Sequence, residues 1–277
     1  MDMRFLRDYT WIVNNDAPWK HLSKSLSEAK VALITTAGLY NWKLTKHYNL
    51  ADDNGDSSFR EIKKEITQDD IRISHKDIEL KGGAGLDYNC IFPLDRLLEL
   101  EKEKRISSVS EVHFSVMGEI KDPKNLTDNS IPKIIKLLQK FLVDAVIISA
   151  VGPLSHQTAG LIAREIEEAG MSTIVLGSLK NVLKNVKPPR TVLVRFPFGQ
   201  VFGASFDSAS QKEILTECLI HLKSIKEPGE IAEFGFRWQD SIKKAMTAKP
   251  DLQSMMHRPG GAEQEPSEKN KISADKF

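Results

Sequence analysis

One unit of this chain limits its fold more than any other, the stretch DAVIISAVGPLSHQTAGLIAREIEEAGMSTIVLGSL at residues 144–179. Residues 145–150 are an apolar run rich in Val and Ile, the pattern of a strand buried on both faces of a parallel sheet. After the loop at residues 152–158 the period changes, with Leu161, Ile162, Ile166 and Ala169 recurring at helical spacing and Gly170 placed as a C-terminal stop. A second strand is predicted over residues 173–176. A right-handed crossover of this kind carries its loop to the carboxyl end of the first strand, where open α/β sheets bind ligands.

The remaining segments extend the same architecture. Strands are predicted at residues 31–36, 71–75, 112–116 and 191–196, and helices after Pro93, after Pro132 and over residues 208–225. A short surface helix capped by Ser23 or Ser25 precedes the first strand. Residues 49–58 and 122–130 are expected as exposed loop and turn. The glycines at 82, 83 and 85 lack the strand-to-helix order that gives phosphate loops their mechanics, so nucleotide binding is not indicated. The fold class is therefore α/β, a mainly parallel, Rossmann-like twisted sheet flanked by helices. Residues 1–247 form one large domain or two closely joined lobes meeting near residue 125. Residues 248–277, rich in Pro, Gly, Glu, Ser and Lys, are expected as a mobile tail.

Composition narrows the partners. Thirty-nine basic against 38 acidic side chains argue against nucleic acid or an anionic membrane as the main partner. No apolar run approaches the roughly 20 residues of a membrane span. The opening MDMRFLRDYTW has no apolar stretch of the secretory kind. Cys90 and Cys218, far apart in dissimilar settings, make no disulfide framework, and a reducing cytoplasm fits them best.

Eight segments together resemble component B of the glycine, sarcosine, betaine and D-proline reductases, the selenoprotein B family. They are ALITTAGLY, DSSFREI, RISH, DYNCIFPLDRLLEL, VHFSVMGEI, the crossover unit, PPRTVLVRFPFGQVFG and FGFRW, in family order over residues 17–238. The resemblance implies cleavage of a carbon–nitrogen bond in a small amino acid or its N-methyl derivative by a selenocysteine or cysteine in the crossover loop. It also implies a partner whose covalently bound carbonyl, often pyruvoyl, activates the substrate amine. At the decisive point the chain departs from the pattern. The family loop is approximately Val-Sec-Pro-Val-Cys-His-Gln-Ser, and the matching residues here are Val151, Gly152, Pro153, Leu154, Ser155, His156, Gln157 and Thr158. Neither glycine nor serine can cycle between a chalcogenol and a dichalcogenide.

Two functions follow. In the first, the chain is a divergent enzyme acting on a small amino-acid-like substrate, with His156 as acid or base and Ser155 as hydrogen-bond donor or nucleophile. Cys90, just before a helix, is the remaining thiol candidate; burial would make it structural instead. Thr36, Gly38, Gly152, Gln157 and Thr158 complete the expected substrate pocket at the strand ends. In the second, the chain is a non-catalytic binding or scaffold subunit with a protein partner or a second copy of itself. Ser155 is then a helix cap and His156 a structural histidine. No cofactor is predicted; the alternative is zinc or iron held by His75, His113 and His156, without a specific ligand signature.

Overall fold

A computed structural model describes residues 9–75 and 83–249. Residues 1–8, most of the expected tail, and Lys81 and Gly82 of the glycine-containing loop lie outside the described residues. In chain order the elements are β1 (Lys30–Thr35), β2 (Leu39–Asn41), β3 (Phe59–Lys63), β4 (Ile71–Ile73), α1 (Leu94–Lys102), β5 (Ser108–Val109) and β6 (Val112–Val116). Then come α2 (Ile131–Lys140), β7 (Ala145–Ser149), α3 (Ser155–Glu168), β8 (Ser172–Gly177), α4 (Lys180–Val186), β9 (Arg190–Leu193), α5 (Ser208–Ser224), β10 (Glu230–Glu233) and α6 (Trp238–Ala248).

The main sheet has the order β10-β9-β8-β7-β1-β6-β3, with β5 also paired to β1. All of its pairings are parallel except that of β3 with β6. This is the mainly parallel, Rossmann-like sheet that the crossover unit predicts, and strands from both sides of residue 125 share it. Alternation along β7 explains its layers. Ala145 and Ile147 join the apolar cluster that holds α1 and α5, whereas Val146 and Ile148 face the cluster that holds α2, α3 and Leu183 of α4. With every residue of β7 buried, each large apolar side chain contributes roughly 1.5–3 kcal/mol of burial.

The connections place a switch point at the centre. From β1 the chain moves outward to β6, and from β7 it moves the opposite way to β8, although β1 and β7 are neighbours. The carboxyl ends of these two strands therefore open a crevice between diverging connections.

Three expectations need correction. Residues 71–73 do not enter the main sheet; β4 pairs antiparallel with β2 in a separate ribbon. Part of the turn expected at 122–130 is a π-helical segment, Leu126–Ser130, running into α2. Pro132 has no N–H to return to a regular α turn, and the wide turn buries Leu126 while the Ser130 hydroxyl donates to Ser57 O at 2.7 Å. The strand expected to reach residue 196 ends at Leu193.

A strap, residues 9–22, crosses α3 and α4 and is pinned by a buried ion pair. Arg190 Nη1 donates to Glu167 Oε1 at 2.7 Å with both side chains fully buried. Its Nη2 donates to Lys20 O at 2.7 Å, and its guanidinium lies 3.7 Å from the Trp19 ring centre. Glu167 in turn accepts the backbone N–H groups of Lys20 and Thr173, each at 2.6 Å. Removing one member strands a buried charge. Arg190→Met is expected to cost about 3–5 kcal/mol in equilibrium urea unfolding, and an unchanged midpoint would show that the pair is dispensable.

Candidate functional site

Thr36, immediately after β1, closes the switch point. Its hydroxyl donates to Ser149 O at 2.8 Å and accepts the Val151 N–H at 3.2 Å, tying the exits of β1 and β7 together. Gly38 has φ +64°, and a Cβ there would lie 2.1 Å from Ser74 O. That close approach needs glycine, and it brings the end of the β2–β4 ribbon against the loop. His75 arrives by this route, with Nε2 3.4 Å from Ser155 Oγ.

At Gly152 an added Cβ would lie 3.0 Å from His75 Cε1 and 3.3 Å from Ser155 Oγ. Gly152, His75 and Ser155 therefore face one point. Ser155 opens α3, and its hydroxyl fills the space where a Cβ on Gly118 would stand, at 1.8 Å. Thr158 Oγ1 donates to Gly118 O at 2.9 Å, so the exit of β6 is fastened to the first turn of α3.

His156 has a different task. Nδ1 donates to Gly152 O at 2.7 Å, and Nε2 accepts the N–H groups of Ser178 at 2.8 Å and Leu179 at 3.0 Å. Because amides only donate, Nε2 carries the lone pair and Nδ1 the proton. The neutral ring bridges the crossover loop to the start of α4, and burial holds its pKa down to about 4. Gly177 makes room for it: a Cβ there would lie 2.8 Å from His156 Cδ2. Gln157 faces the strap, accepting the Ile12 N–H at 2.9 Å and donating to Tyr9 Oη at 2.7 Å.

The structure thus brings together Thr36, Gly38, His75, Gly152, Ser155, His156 and Thr158, with Gln157 on the outer side. Cys90 is not joined to this cluster by a described hydrogen bond. Its Sγ lies 3.7 Å from Ser205 Oγ, and burial pushes the thiol well above its usual range, the reverse of activation. Cys218, within α5, is likewise buried and raised, and both are free thiols. The three histidines weighed for zinc or iron do not converge. His113 accepts the Leu33 N–H at 2.9 Å inside the sheet, His156 has both nitrogens committed, and no metal-binding group of three His, Cys, Asp or Glu occurs among the described residues. Gly118 and Gly177 went unrecognised in the sequence because the side chains they admit come from distant elements. Residues 151–160 are all buried. Clefts lined by Asp52, Asp56 and Asp122, and by Asp16, Lys184 and Lys187, lie elsewhere on the surface.

Fold and site define a parallel α/β protein with a sealed strand-to-helix loop at its switch point. No helix among the described residues is long and apolar enough to cross a membrane. The chain is 33% identical over 220 residues to D-proline reductase subunit gamma of Acetoanaerobium sticklandii, covering 79% of this chain and 89% of that protein. It is 23% identical over 209 residues to glycine reductase complex component B subunit gamma of Carboxydothermus hydrogenoformans, and 26% over 180 residues to betaine reductase complex component B subunit beta of Peptoclostridium acidaminophilum. These matches cover 71% and 64% of this chain but only 46% and 41% of those proteins. The chain belongs to this family of amino-acid reductase component B subunits. No family model and no solved structure matches it.

Two outcomes follow from the geometry. His75, His113 and His156 are buried, with pKa values lowered to about 4, 3 and 4, so at pH 7 each is neutral when folded and mostly neutral when unfolded. Between their unfolded value near 6.5 and these folded values the unfolded chain binds more protons, so stability falls as pH falls through that window. Each histidine adds a slope of up to about 1.4 kcal/mol per pH unit. Urea unfolding at pH 7, 6 and 5 should show the loss, and His156→Gln should flatten it. Gly118→Ala should displace Ser155 and lower the melting temperature by several degrees, as about 1–3 kcal/mol of overpacking requires; a melting curve superimposable on that of the wild type would contradict the contact.

Proposed function

We propose that the crossover loop is the small-molecule site of a subunit in a multiprotein reductase-type assembly, binding an amino-acid-like ligand and working without a thiol or selenol. The observation that carries this reading is the meeting of Gly152 and Ser155 with His75 at the switch point, where a redox-active pair would stand in the resemblance. The two cysteines offer no substitute, since both are buried with raised pKa values. The relatives' names place them as subunits of reductases of proline, glycine and betaine, which supports a protein partner and this ligand class. Altered, chalcogen-independent chemistry then distinguishes this chain from a redox-active family member.

A second reading, a scaffold or binding subunit without chemistry, is favoured by one observation: residues 151–160 are closed off. Calorimetry and thermal shift with D-proline, glycine and betaine separate a ligand site from a scaffold, and binding without turnover would leave a binding subunit without chemistry. A ligand of the loop at a hundred times its Kd stabilises by about 2.7 kcal/mol, a rise of roughly 5–10 °C for a chain of this size. Replacing both thiols, Cys90→Ala and Cys218→Ala, should leave that shift unchanged. No shift with any amino-acid-like compound would leave the scaffold reading in place.

A further inference from the structure

We propose that the chain pairs with a second copy of itself through the outer faces of α2 and α3, the lysines of α2 in each copy meeting the carboxylates at the end of α3 in the other. Both halves of that contact lie on one surface. Lys133, Lys136 and Lys140 are exposed on α2, at spacings of three and four residues opposite the buried Ile131, Ile134 and Leu138. The helix contains no acidic residue, and none of the three lysines joins an ion pair among the described residues. Beside α2 in the same layer, the last turn of α3 carries Glu165 and Glu168. Neither carboxylate joins an ion pair among the described residues, and burial together with the Glu168 charge raises the Glu165 pKa against the pull of Arg164. Arg164 itself turns the other way, to Asp16 of the strap and Lys187 O at the end of α4.

The end of α2 adds an apolar anchor. Val143 N–H donates to Leu138 O and Leu142 N–H to Gln139 O, each at 3.0 Å, a closing pattern that ordinarily places glycine at its left-handed position. Here that position is Leu142, with φ +55° and 76% of its surface exposed. A leucine in this conformation is strained, and its uncovered side chain returns nothing to the isolated chain. A second copy supplies the cover.

The topology supplies the register. Helix α2 leads into β7 and α3 into β8, two strands paired in parallel, so both helices run from the carboxyl to the amino edge of the sheet. Ala145 pairs with Ser172, so they also end at the same level. A two-fold axis parallel to the helices and between them sets α2 of one copy against α3 of the other without reversing either. Lys136 and Lys140 then stand level with Glu165 and Glu168, and the contact repeats in the opposite sense, as an isologous interface requires. Leu142 meets the end of α3 at Gly170, where an added Cβ would touch nothing within 4 Å. The strap leaves this region clear, since Tyr9 lies over Gln157 in the first turn of α3 and residue 16 is held on the α4 side. Because the axis follows the helices, the carboxyl edges of both sheets face the same way, uncovered by the pairing.

Sedimentation velocity on the full chain tests the pairing. The expected species is a dimer that weakens as salt is raised. Lys136→Glu combined with Lys140→Glu should raise the dimer Kd at least about a hundredfold, because like charges would then face each other across the interface. Glu165→Lys combined with Glu168→Lys should do the same. An equimolar mixture of these two double variants should dimerise again, since the acidic α2 of one then meets the basic α3 of the other and the remaining contact is unaltered. That rescue also shows that both variants are folded. Leu142→Gly suits the left-handed position better, yet it should weaken the dimer about tenfold, the scale of uncovering an apolar side chain. A wild-type chain that sediments as a monomer at every concentration would overturn the pairing and leave the lysine face to an acidic surface of a different subunit. A dimer indifferent to the double variants or to Leu142→Gly, or a mixture that stays monomeric, would overturn it as well.

Discussion

The seam between β1 and β7 is the contact on which the rest of the structure depends. Five residues pair in parallel register, from Val31 with Ala145 to Thr35 with Ser149, and Thr36 closes the carboxyl end with one donated and one accepted hydrogen bond. A buried hydrogen bond of this kind contributes only about 1 kcal/mol, but its position matters more than its size. The two strands send their side chains into both apolar clusters, and their onward connections diverge, so one seam fixes both cores and the crevice. The crossover loop inherits its place from this arrangement.

Within the crevice, absent Cβ atoms set the geometry. Gly38 yields space to Ser74 O, Gly118 to the Ser155 hydroxyl, Gly152 to the His75 ring and Gly177 to the His156 ring. Polar groups therefore meet backbone directly, and the loop is ordered with its residues buried. The arrangement also divides labour between two histidines. His156 commits both nitrogens to the backbone and becomes a strut between loops, whereas His75 turns Nε2 toward a hydroxyl. Position at a strand end, which drew attention to His156 in the sequence, does not distinguish a strut from a base; the partners of its nitrogens do.

Local periodicity made the centre of the fold legible. Residues 145–150 carry the continuous apolar run of a doubly buried strand, and Leu161, Ile162 and Ile166 fix the inner face of α3, so the unit around the loop could be read directly. The edges could not. β3 is FREIK and β10 is EIAE, charge-rich segments that pair on one side only and bury little, so hydrophobic pattern does not mark them. Non-local contacts were equally hidden: nothing near Gly118 announces Ser155, and nothing near Arg190 announces Glu167. Seven of the expected site residues, Thr36, Gly38, Gly152, Ser155, His156, Gln157 and Thr158, do share the switch-point region, because parallel strands bring their exits to one edge. Cys90 turns its thiol to Ser205, and burial suppresses the thiolate that its place before a helix had suggested.

The electrostatics of the loop constrain how any amino-acid-like ligand can sit there. Thr36, His75, Ser155, His156, Gln157 and Thr158 include no carboxylate and no permanent cation, and the histidines are held neutral by burial. An ammonium group drawn among them would be desolvated without a counter-charge, a penalty of several kcal/mol. A carbonyl oxygen suffers no such penalty, because it carries no net charge and the dipole of α3 favours it at the amino end. The orientation compatible with these residues therefore places the carbonyl end of the ligand against α3 and leaves the amine outside, toward solvent or a partner subunit. On the reading of the loop as a ligand site, the inner end would present only the carbonyl, and a step at the amine would have to come from outside the loop.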